Sequence, residues 1–175
     1  MPAIPASWKP LTKGEQRSVD RTFRRDLSFW DHRNDADQRT IIEPTNSVTY
    51  ALELGGGHYV SDAYQERALK LCSDYVTLFR AVVEEDDFII AYDPNHPSYK
   101  FWPHQHFDYV SANDWPVPPD PNGDYCAFFT SNLKACLFGF PWNPRSVCVI
   151  GGRFIDAMRD YKPRAFEKVL RTGGK

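Results

Sequence analysis

Apolar residues near the start of the chain recur with the period of a helix. Thr12 and Glu15 have the spacing of a capping box, in which the two side chains bond reciprocally to the backbone N–H groups of a new helix. Beyond them an apolar residue recurs at every fourth position, at Val19, Phe23 and Leu27. The pattern predicts a first helix that begins near Thr12 and buries one stripe.

A longer helical pattern covers about residues 62–83. Its apolar positions are Tyr64, Ala68, Leu71, Tyr75, Leu78, Phe79 and Val82. A stripe of this length predicts a long amphipathic helix packed on a core. Towards the C-terminus, Gly151 and Gly152 lead into helical residues, and Pro163 starts a last short helix that carries Phe166, Val169 and Leu170.

Elsewhere the period changes to that of a strand. From Ser47 to Leu54 apolar and polar residues alternate, which predicts a strand with one face in solvent. Further short apolar runs predict buried strands at Phe88–Tyr92, Tyr125–Thr130, Ala135–Phe140 and Val147–Ile150. Residues 1–175 are therefore expected to form a single α+β domain. In it an antiparallel sheet of about five strands is flanked by an N-terminal helix, a long central helix and short C-terminal helices.

Composition adds one open question and one asymmetry. Aromatic residues make up 15% of the 175 residues, and they either fill the core or mark a sticky surface. Residues 41–144 hold 5 Lys or Arg against 14 Asp or Glu, whereas residues 145–175 hold 8 against 3. Because phosphate binding needs clustered cations, we expect no nucleic-acid partner. The acidic body suits a basic protein partner, or it is an ordinary solvated surface.

The cysteines and the N-terminus bear on the compartment. Cys72, Cys126, Cys136 and Cys148 show neither C-x-x-C nor zinc-ribbon spacing. Three of them lie in apolar runs, where a thiol is inert and its pKa is raised. The sequence shows no secretory signal and no run near the ~18 apolar residues of a membrane span. We expect a cytosolic protein without membrane contact.

The histidines raise the question of a metal. On an extended segment His104 and His106 would share a face and could reach one ion, with Asp108 nearby. A catalytic zinc needs three protein ligands, and the chain has no histidine after His106. Asp93 and His96 would have to complete the set. The alternative function is therefore a small metal-dependent hydrolase centred on His96, His104 and His106. The preferred interpretation gives the imidazoles a hydrogen-bonding role beside an aromatic patch, with no metal and no cofactor.

Other signs of catalysis are weak. The chain has no G-x-S-x-G motif, and the glycines at 55–57 lack the G-K-[ST] ending of a phosphate loop. The acidic run Glu84–Asp87 is typical of a solvated turn. A Cys–His pair brought together from distant positions stays open. We expect a binding protein rather than an enzyme.

Three tryptophans lie in proline-bearing connections, namely Trp102, Trp115 and Trp142. Tryptophan on a loop is a favoured binding anchor, because it offers a large rigid area at small entropic cost. The alternative is that these rings cover the ends of the sheet as part of the core.

Residues 88–152 resemble an uncharacterised bacterial domain family of unknown function. The most specific matching motifs are Gly123-Asp124-Tyr125-x-x-Phe128 and Gly139-x-Pro141-Trp142, with Asp93-x-x-His96-x-x-Tyr99 ahead of them. This chain has Phe140 where the family has a histidine. The resemblance implies a bacterial protein and carries no chemistry with it.

Together these features lead to one function hypothesis. The chain is expected to be a cytosolic bacterial protein-binding module of the immunity or antitoxin kind, which neutralises a toxin by direct binding, with a basic toxin as the candidate partner. The expected binding residues are Asp93, His96, Tyr99, Trp102, His104, Trp115, Asp124 and Trp142. A structural subunit of a homo-oligomer is a further alternative.

Overall fold

The chain folds as an antiparallel sheet with helices on both faces. The computed structural model describes residues 5–29, 41–52, 61–106, 114–121, 124–140, 145–166 and 168–175. Within these residues the strands are β1 (Trp8–Pro10), β2 (Ser47–Ala51), β3 (Ile89–Tyr92), β4 (Tyr99–Phe101), β5 (Cys126–Thr130), β6 (Cys136–Phe140), β7 (Ser146–Ile150) and β8 (Val169–Thr172). The helices are α1 (Lys13–Leu27), α2 (Asp62–Val82) and α3 (Gly152–Tyr161), with single 3-10 turns at Pro103–Gln105 and Arg164–Phe166.

The strands lie in the order β1-β4-β3-β5-β6-β7-β2-β8. Tyr92 at the end of β3 lies opposite Ala127 of β5, and Phe140 at the end of β6 lies opposite Ser146 of β7. Because neighbouring strands run in opposite directions, β3 and β6 finish where β5 and β7 begin. We call this end of the sheet the Asp93 end, after the residue that follows β3.

Both faces of the central strands are buried. On β6, Leu137 packs in the cluster that includes α2 and α3, whereas Phe138 packs in the cluster that includes Phe23 of α1. Strands covered on both faces are apolar at nearly every position rather than at alternate ones. The continuous apolar runs of β5, β6 and β7 follow from this placement, and the observed strands begin within one residue of their predicted starts.

The two long helices follow their predicted patterns. At the start of α1, Thr12 Oγ1 accepts a hydrogen bond from the Glu15 N–H, and Glu15 Oε2 accepts one from the Thr12 N–H at 2.8 Å, which confirms the capping box. The α1 stripe of Val19, Phe23 and Leu27 is buried. In α2 the predicted apolar positions are all buried, and Ser61 caps the helix start. No helix among the described residues is long and apolar enough to cross a membrane.

The number of strands was underestimated: among the described residues the sheet has eight rather than about five. β1 and β4 have three residues each, which is too short for a strand period to be visible in sequence. The predicted last helix is also wrong beyond Phe166, because Val169–Thr172 forms β8 and pairs with β2. Pairing with an available strand here outweighs local helical spacing.

The predicted solvent face of β2 is inverted. Ser47 and Thr49, on the face expected to be wet, are 2% and 0% exposed, whereas Val48 and Tyr50 are half-buried. The reason is that Ser47 and Thr49 lie opposite Ile150 and Cys148 of β7, whose side chains belong to the buried cluster on the α1 side of the sheet. The Ser47 hydroxyl also donates to the Pro44 carbonyl at 2.7 Å. The end of the predicted strand, at Glu53 and Leu54, and the glycines at 55–57 lie outside the described residues.

Replacement of Gly139 tests the packing of β6 against the segment that precedes β5. A Cβ at Gly139 would lie 2.7 Å from Cys126 Sγ and 3.1 Å from Pro121 Cβ. We expect Gly139→Ala to lower the free energy of unfolding by about 1–3 kcal/mol, measured by urea denaturation. Gly14→Ala is the control, because nothing lies within 4 Å of its added Cβ. Equal stability of Gly139→Ala and the wild type would show that the two neighbours shift freely.

Candidate functional site

The turn between β3 and β4 is held in place by its own polar groups. Asp93 is 7% exposed, and its Oδ1 accepts hydrogen bonds from the backbone N–H groups of Asn95 at 2.7 Å and His96 at 3.0 Å. The Asp93 N–H donates to Ser98 Oγ at 3.1 Å, and the Ser98 hydroxyl donates back to the Asp93 carbonyl. Pro94 and Pro97 fix two further φ angles. The turn is therefore tightly constrained.

The start of α1 docks on this turn. Gln16 Nε2 donates to the His96 carbonyl at 3.1 Å, and the Ser98 N–H donates to Gln16 Oε1 at 3.2 Å. One residue earlier on α1, Glu15 Oε1 lies 2.6 Å from Lys100 Nζ of β4. The capping box therefore does more than start a helix, because it places Glu15 and Gln16 against β4 and the turn.

Asp93, His96 and Asp124 meet at the Asp93 end of the sheet. His96 Nδ1 lies 3.0 Å from Asp93 Oδ2 and 3.8 Å from Asp124 Oδ2. Asn95 Nδ2 donates to Asp124 Oδ1 at 2.6 Å. The His96 side chain is 64% exposed and that of Asp124 is 39% exposed, so the group is open to solvent. We call these three residues the Asp93–His96–Asp124 cluster.

The pairing of β3 with β5 brings this cluster together. Asp93 directly follows β3, and Asp124 lies two residues ahead of β5 in the chain. Tyr92 lies opposite Ala127, and this register places Asp93 and Asp124 together at the Asp93 end of the sheet. Two carboxylates beside an imidazole can bind a cationic side chain, hold the imidazole in one orientation, or coordinate a metal ion.

A second polar group lies buried at the same end. Asp120 is 5% exposed and accepts hydrogen bonds from the Tyr64 hydroxyl and from Arg145 Nη1, the latter at 3.1 Å to both oxygens. Burial and the neighbouring Asp120 carboxylate raise the pKa of Tyr64 to about 12. This group fixes the 114–121 segment to the starts of α2 and β7. The sequence gives no sign of this group, because Arg145 lies 25 residues and Tyr64 lies 56 residues from Asp120, and the three share no motif.

Trp102 and His104 lie at the other end of β4. His104 Nε2 donates to the Val83 carbonyl at 3.0 Å, at the C-terminus of α2. The Trp102 ring packs against Phe88, with ring centroids 5.4 Å apart. Both side chains are half-buried. They are thus separated from the Asp93–His96–Asp124 cluster, and the predicted binding residues do not form one continuous site.

The predicted histidine set does not converge. Pro103–Gln105 is a 3-10 turn rather than a strand, so His104 and His106 do not share a face. His106 is 3% exposed, with its Nδ1 2.7 Å from Ser7 Oγ and its ring against Phe101 and Trp115. Asp108 lies outside the described residues. Among the residues that the structure describes, the group that brings metal-ligating atoms together is Asp93, His96 and Asp124 instead.

Of the remaining loop tryptophans, Trp115 lies in the core. Trp115 is 4% exposed, and its ring lies 5.2 Å from Trp8, 5.3 Å from Phe101 and 6.2 Å from Phe128 between centroids. Its expected role as an exposed anchor is therefore wrong, and the alternative of a ring that covers the core is correct. Tyr99 is half-buried beside Trp8. Trp142 lies outside the described residues.

The cysteines offer no nucleophile. All four are free and buried. Burial raises the pKa of each thiol, to about 12 for Cys148. A thiol with such a pKa is protonated at neutral pH, whereas a cysteine nucleophile acts as the thiolate. The Cys–His alternative therefore has no accessible thiolate.

Comparison with known proteins defines the class of this chain. Residues 10–155 match the family described as "Protein of unknown function (DUF2716)", and the chain belongs to this family. It is similar to "Uncharacterized protein YxiI" of Bacillus subtilis (strain 168), with 34% identity over 88 residues. That match covers 50% of this chain and 54% of the relative, so it spans about half of the relative's length. No solved structure matches at a significant level.

The match confirms the resemblance to an uncharacterised family. Its range also extends the resemblance, because it begins at residue 10 rather than near residue 88. It therefore includes α1, whose Gln16 holds the Asp93 turn.

The two placed tryptophans predict different costs of truncation. We expect Trp115→Ala to lower the free energy of unfolding by about 3–5 kcal/mol, because it opens a cavity beneath three aromatic rings. Trp102→Ala should cost clearly less, since its ring is half-buried. Urea denaturation of both variants measures the difference. Similar losses for the two would contradict the core position of Trp115.

The capping box predicts a dependence of stability on pH. The hydrogen bond from Lys100 and those from Thr12 lower the pKa of Glu15 from 4.5 to about 2. A lowered pKa stabilises the fold above pH 4.5, and that contribution is lost as the pH falls towards 2. Glu15→Gln should therefore be less stable than the wild type at pH 6, with the difference shrinking near pH 2. Thermal melts across this range test it, with the exposed Glu85→Gln as the control. A difference that does not depend on pH would contradict the pKa shift.

Proposed function

We propose that this protein is a protein-binding module of the immunity or antitoxin kind, which acts by binding a toxin through the face around the Asp93–His96–Asp124 cluster. The observation that supports it is the convergence of three expected binding residues into one tightly held group, in which the His96 side chain is exposed. The thiols, by contrast, are buried.

The chemistry of this face favours a polar partner surface. Two carboxylates within reach of one imidazole present acceptors that suit an arginine or lysine side chain. The acidic balance of residues 41–144 acts in the same direction at longer range. Among the described residues, the large apolar side chains left exposed are few, namely Ile42, Tyr161 and Val169. Recognition through charge and hydrogen bonds therefore fits this chain better than recognition through an apolar patch.

Rigidity supports the same proposal. The turn is fixed by Asp93, by Ser98 and by Gln16 of α1, so little conformational freedom remains to be lost on binding. A shallow groove beside His96 is lined by the α1 start and by the turn, through Leu11, Lys13, Gln16, Pro94, Asn95, His96 and Pro97. The proposed face consists of this groove and the cluster. Trp102, His104 and Trp115 are left out of it, and Tyr99 remains as a neighbour.

A capture experiment tests this proposal. The tagged protein is incubated with lysate of the native organism, and the proteins that it retains are identified by mass spectrometry. We expect the wild type and Asp86→Asn to retain the same stoichiometric partner, and His96→Ala/Asp124→Asn to lose it. Asp86 is the matched control because it is an exposed carboxylate near the start of β3, at the opposite end of the sheet. Retention should also weaken as salt rises. Equal retention by all three proteins would show that the partner binds elsewhere.

The immunity role needs a functional readout. Expression of the captured partner alone should arrest growth, and co-expression of the wild-type chain should restore it. Restoration should fail with His96→Ala/Asp124→Asn. If the partner is harmless when expressed alone, the immunity role is contradicted, and the protein would be a binding module of another kind.

A further inference from the structure

We infer that the Asp93–His96–Asp124 cluster binds a divalent transition-metal ion of the zinc class, with Asp93 Oδ2, His96 Nδ1 and Asp124 Oδ2 as its ligands. The inference goes beyond the proposed function, because the metal would bind the chain without any partner. It also differs from the histidine set expected from sequence, since neither His104 nor His106 takes part.

The distances suit a single ion. Zinc binds imidazole nitrogen and carboxylate oxygen at about 2.0–2.2 Å, so two ligands of one tetrahedral zinc lie about 3.3 Å apart. Here the nitrogen lies 3.0 Å from one carboxylate oxygen and 3.8 Å from the other, and the three atoms lie within 4.8 Å of one another. Small side-chain rotations would therefore place all three around one ion.

The surrounding hydrogen bonds leave the correct atoms available. The backbone N–H groups of Asn95 and His96 hold Oδ1 of Asp93, and the Asn95 amide holds Oδ1 of Asp124. In each carboxylate Oδ1 therefore accepts these hydrogen bonds, and Oδ2 is the oxygen that lies near His96. Hydrogen bonds of this kind orient metal ligands and strengthen binding in known sites.

A simple ion pair explains the group less completely. An N–H at His96 Nδ1 would donate to Asp93, whose Oδ2 lies 3.0 Å away. The Asp124 oxygen at 3.8 Å would receive no hydrogen bond from that nitrogen. A metal ion on Nδ1 would contact both carboxylates and would neutralise their mutual repulsion.

The ligand types select among metals. One imidazole with two carboxylates suits zinc, manganese, iron or cobalt, whereas magnesium and calcium prefer oxygen alone and copper(I) prefers sulfur. Three protein ligands leave a fourth position to water, and the exposure of His96 and Asp124 gives the ion access from solvent.

The test uses the chain of residues 1–175 with its affinity tag removed, after treatment with a chelator. Zinc is titrated into it by calorimetry at pH 7.5, and cobalt is added in parallel so that its visible absorption reports the ligand field. We expect one equivalent of zinc in the wild type and in Asp86→Asn. Affinity should fall at least tenfold in His96→Ala and in Asp124→Asn, and about 10–100-fold in Asn95→Ala, which removes only an orienting group. Circular dichroism of each variant confirms that it is folded.

Two outcomes would overturn the inference. One is the absence of stoichiometric zinc or cobalt uptake by the wild type, and the other is uptake that His96→Ala and Asp124→Asn both retain. Because the titration contains no partner, its failure leaves the capture result unchanged. Conversely, a metal-binding chain that captures no partner would overturn the proposed function alone.

Discussion

The pairing of β3 with β5 is the interaction on which the rest of the structure depends. It joins the half of the chain that holds α1 and α2 to the β5–β6–β7 meander, in one register from Ile89 opposite Thr130 to Tyr92 opposite Ala127. A slip by one residue would exchange the two buried faces, since successive side chains point to opposite sides. The same register carries Asp124 to the turn after β3, so the packing of the core and the geometry of the cluster have one cause.

Sequence patterns predicted the elements that are long enough to give a signal. α1 and α2 repeat an apolar position over several turns, and the central strands are continuous apolar runs, whereas β1 and β4 have three residues each and show neither. The error on β2 has a different origin, because alternation reveals two faces but not which of them is covered. The register of β2 with β7 settles that, because it places Ser47 and Thr49 beside Ile150 and Cys148 on the face covered by the α1 cluster.

The same limit applies to the candidate site. Asp93 and His96 are three residues apart and could be paired from sequence, but the arrival of Asp124 depends on strand register. The expectation for His104 and His106 assumed an extended backbone, and the 3-10 turn at Pro103–Gln105 removes their common face. The high aromatic content could have reflected either the core or a sticky surface. Rings such as Phe23, Phe128 and Phe138 belong to the core, because they fill the two clusters on either side of the sheet.

The burial of all four thiols has a practical consequence. Cys72, Cys126, Cys136 and Cys148 lie beneath the surface as protonated groups, so an alkylating reagent meets no reactive sulfur on the folded chain. Labelling then occurs only in molecules that have opened, and its rate reports the opening of the core. A cysteine introduced on the exposed surface would be the single site of modification in the native protein, to which a fluorophore or crosslinker can be attached without removing any native residue.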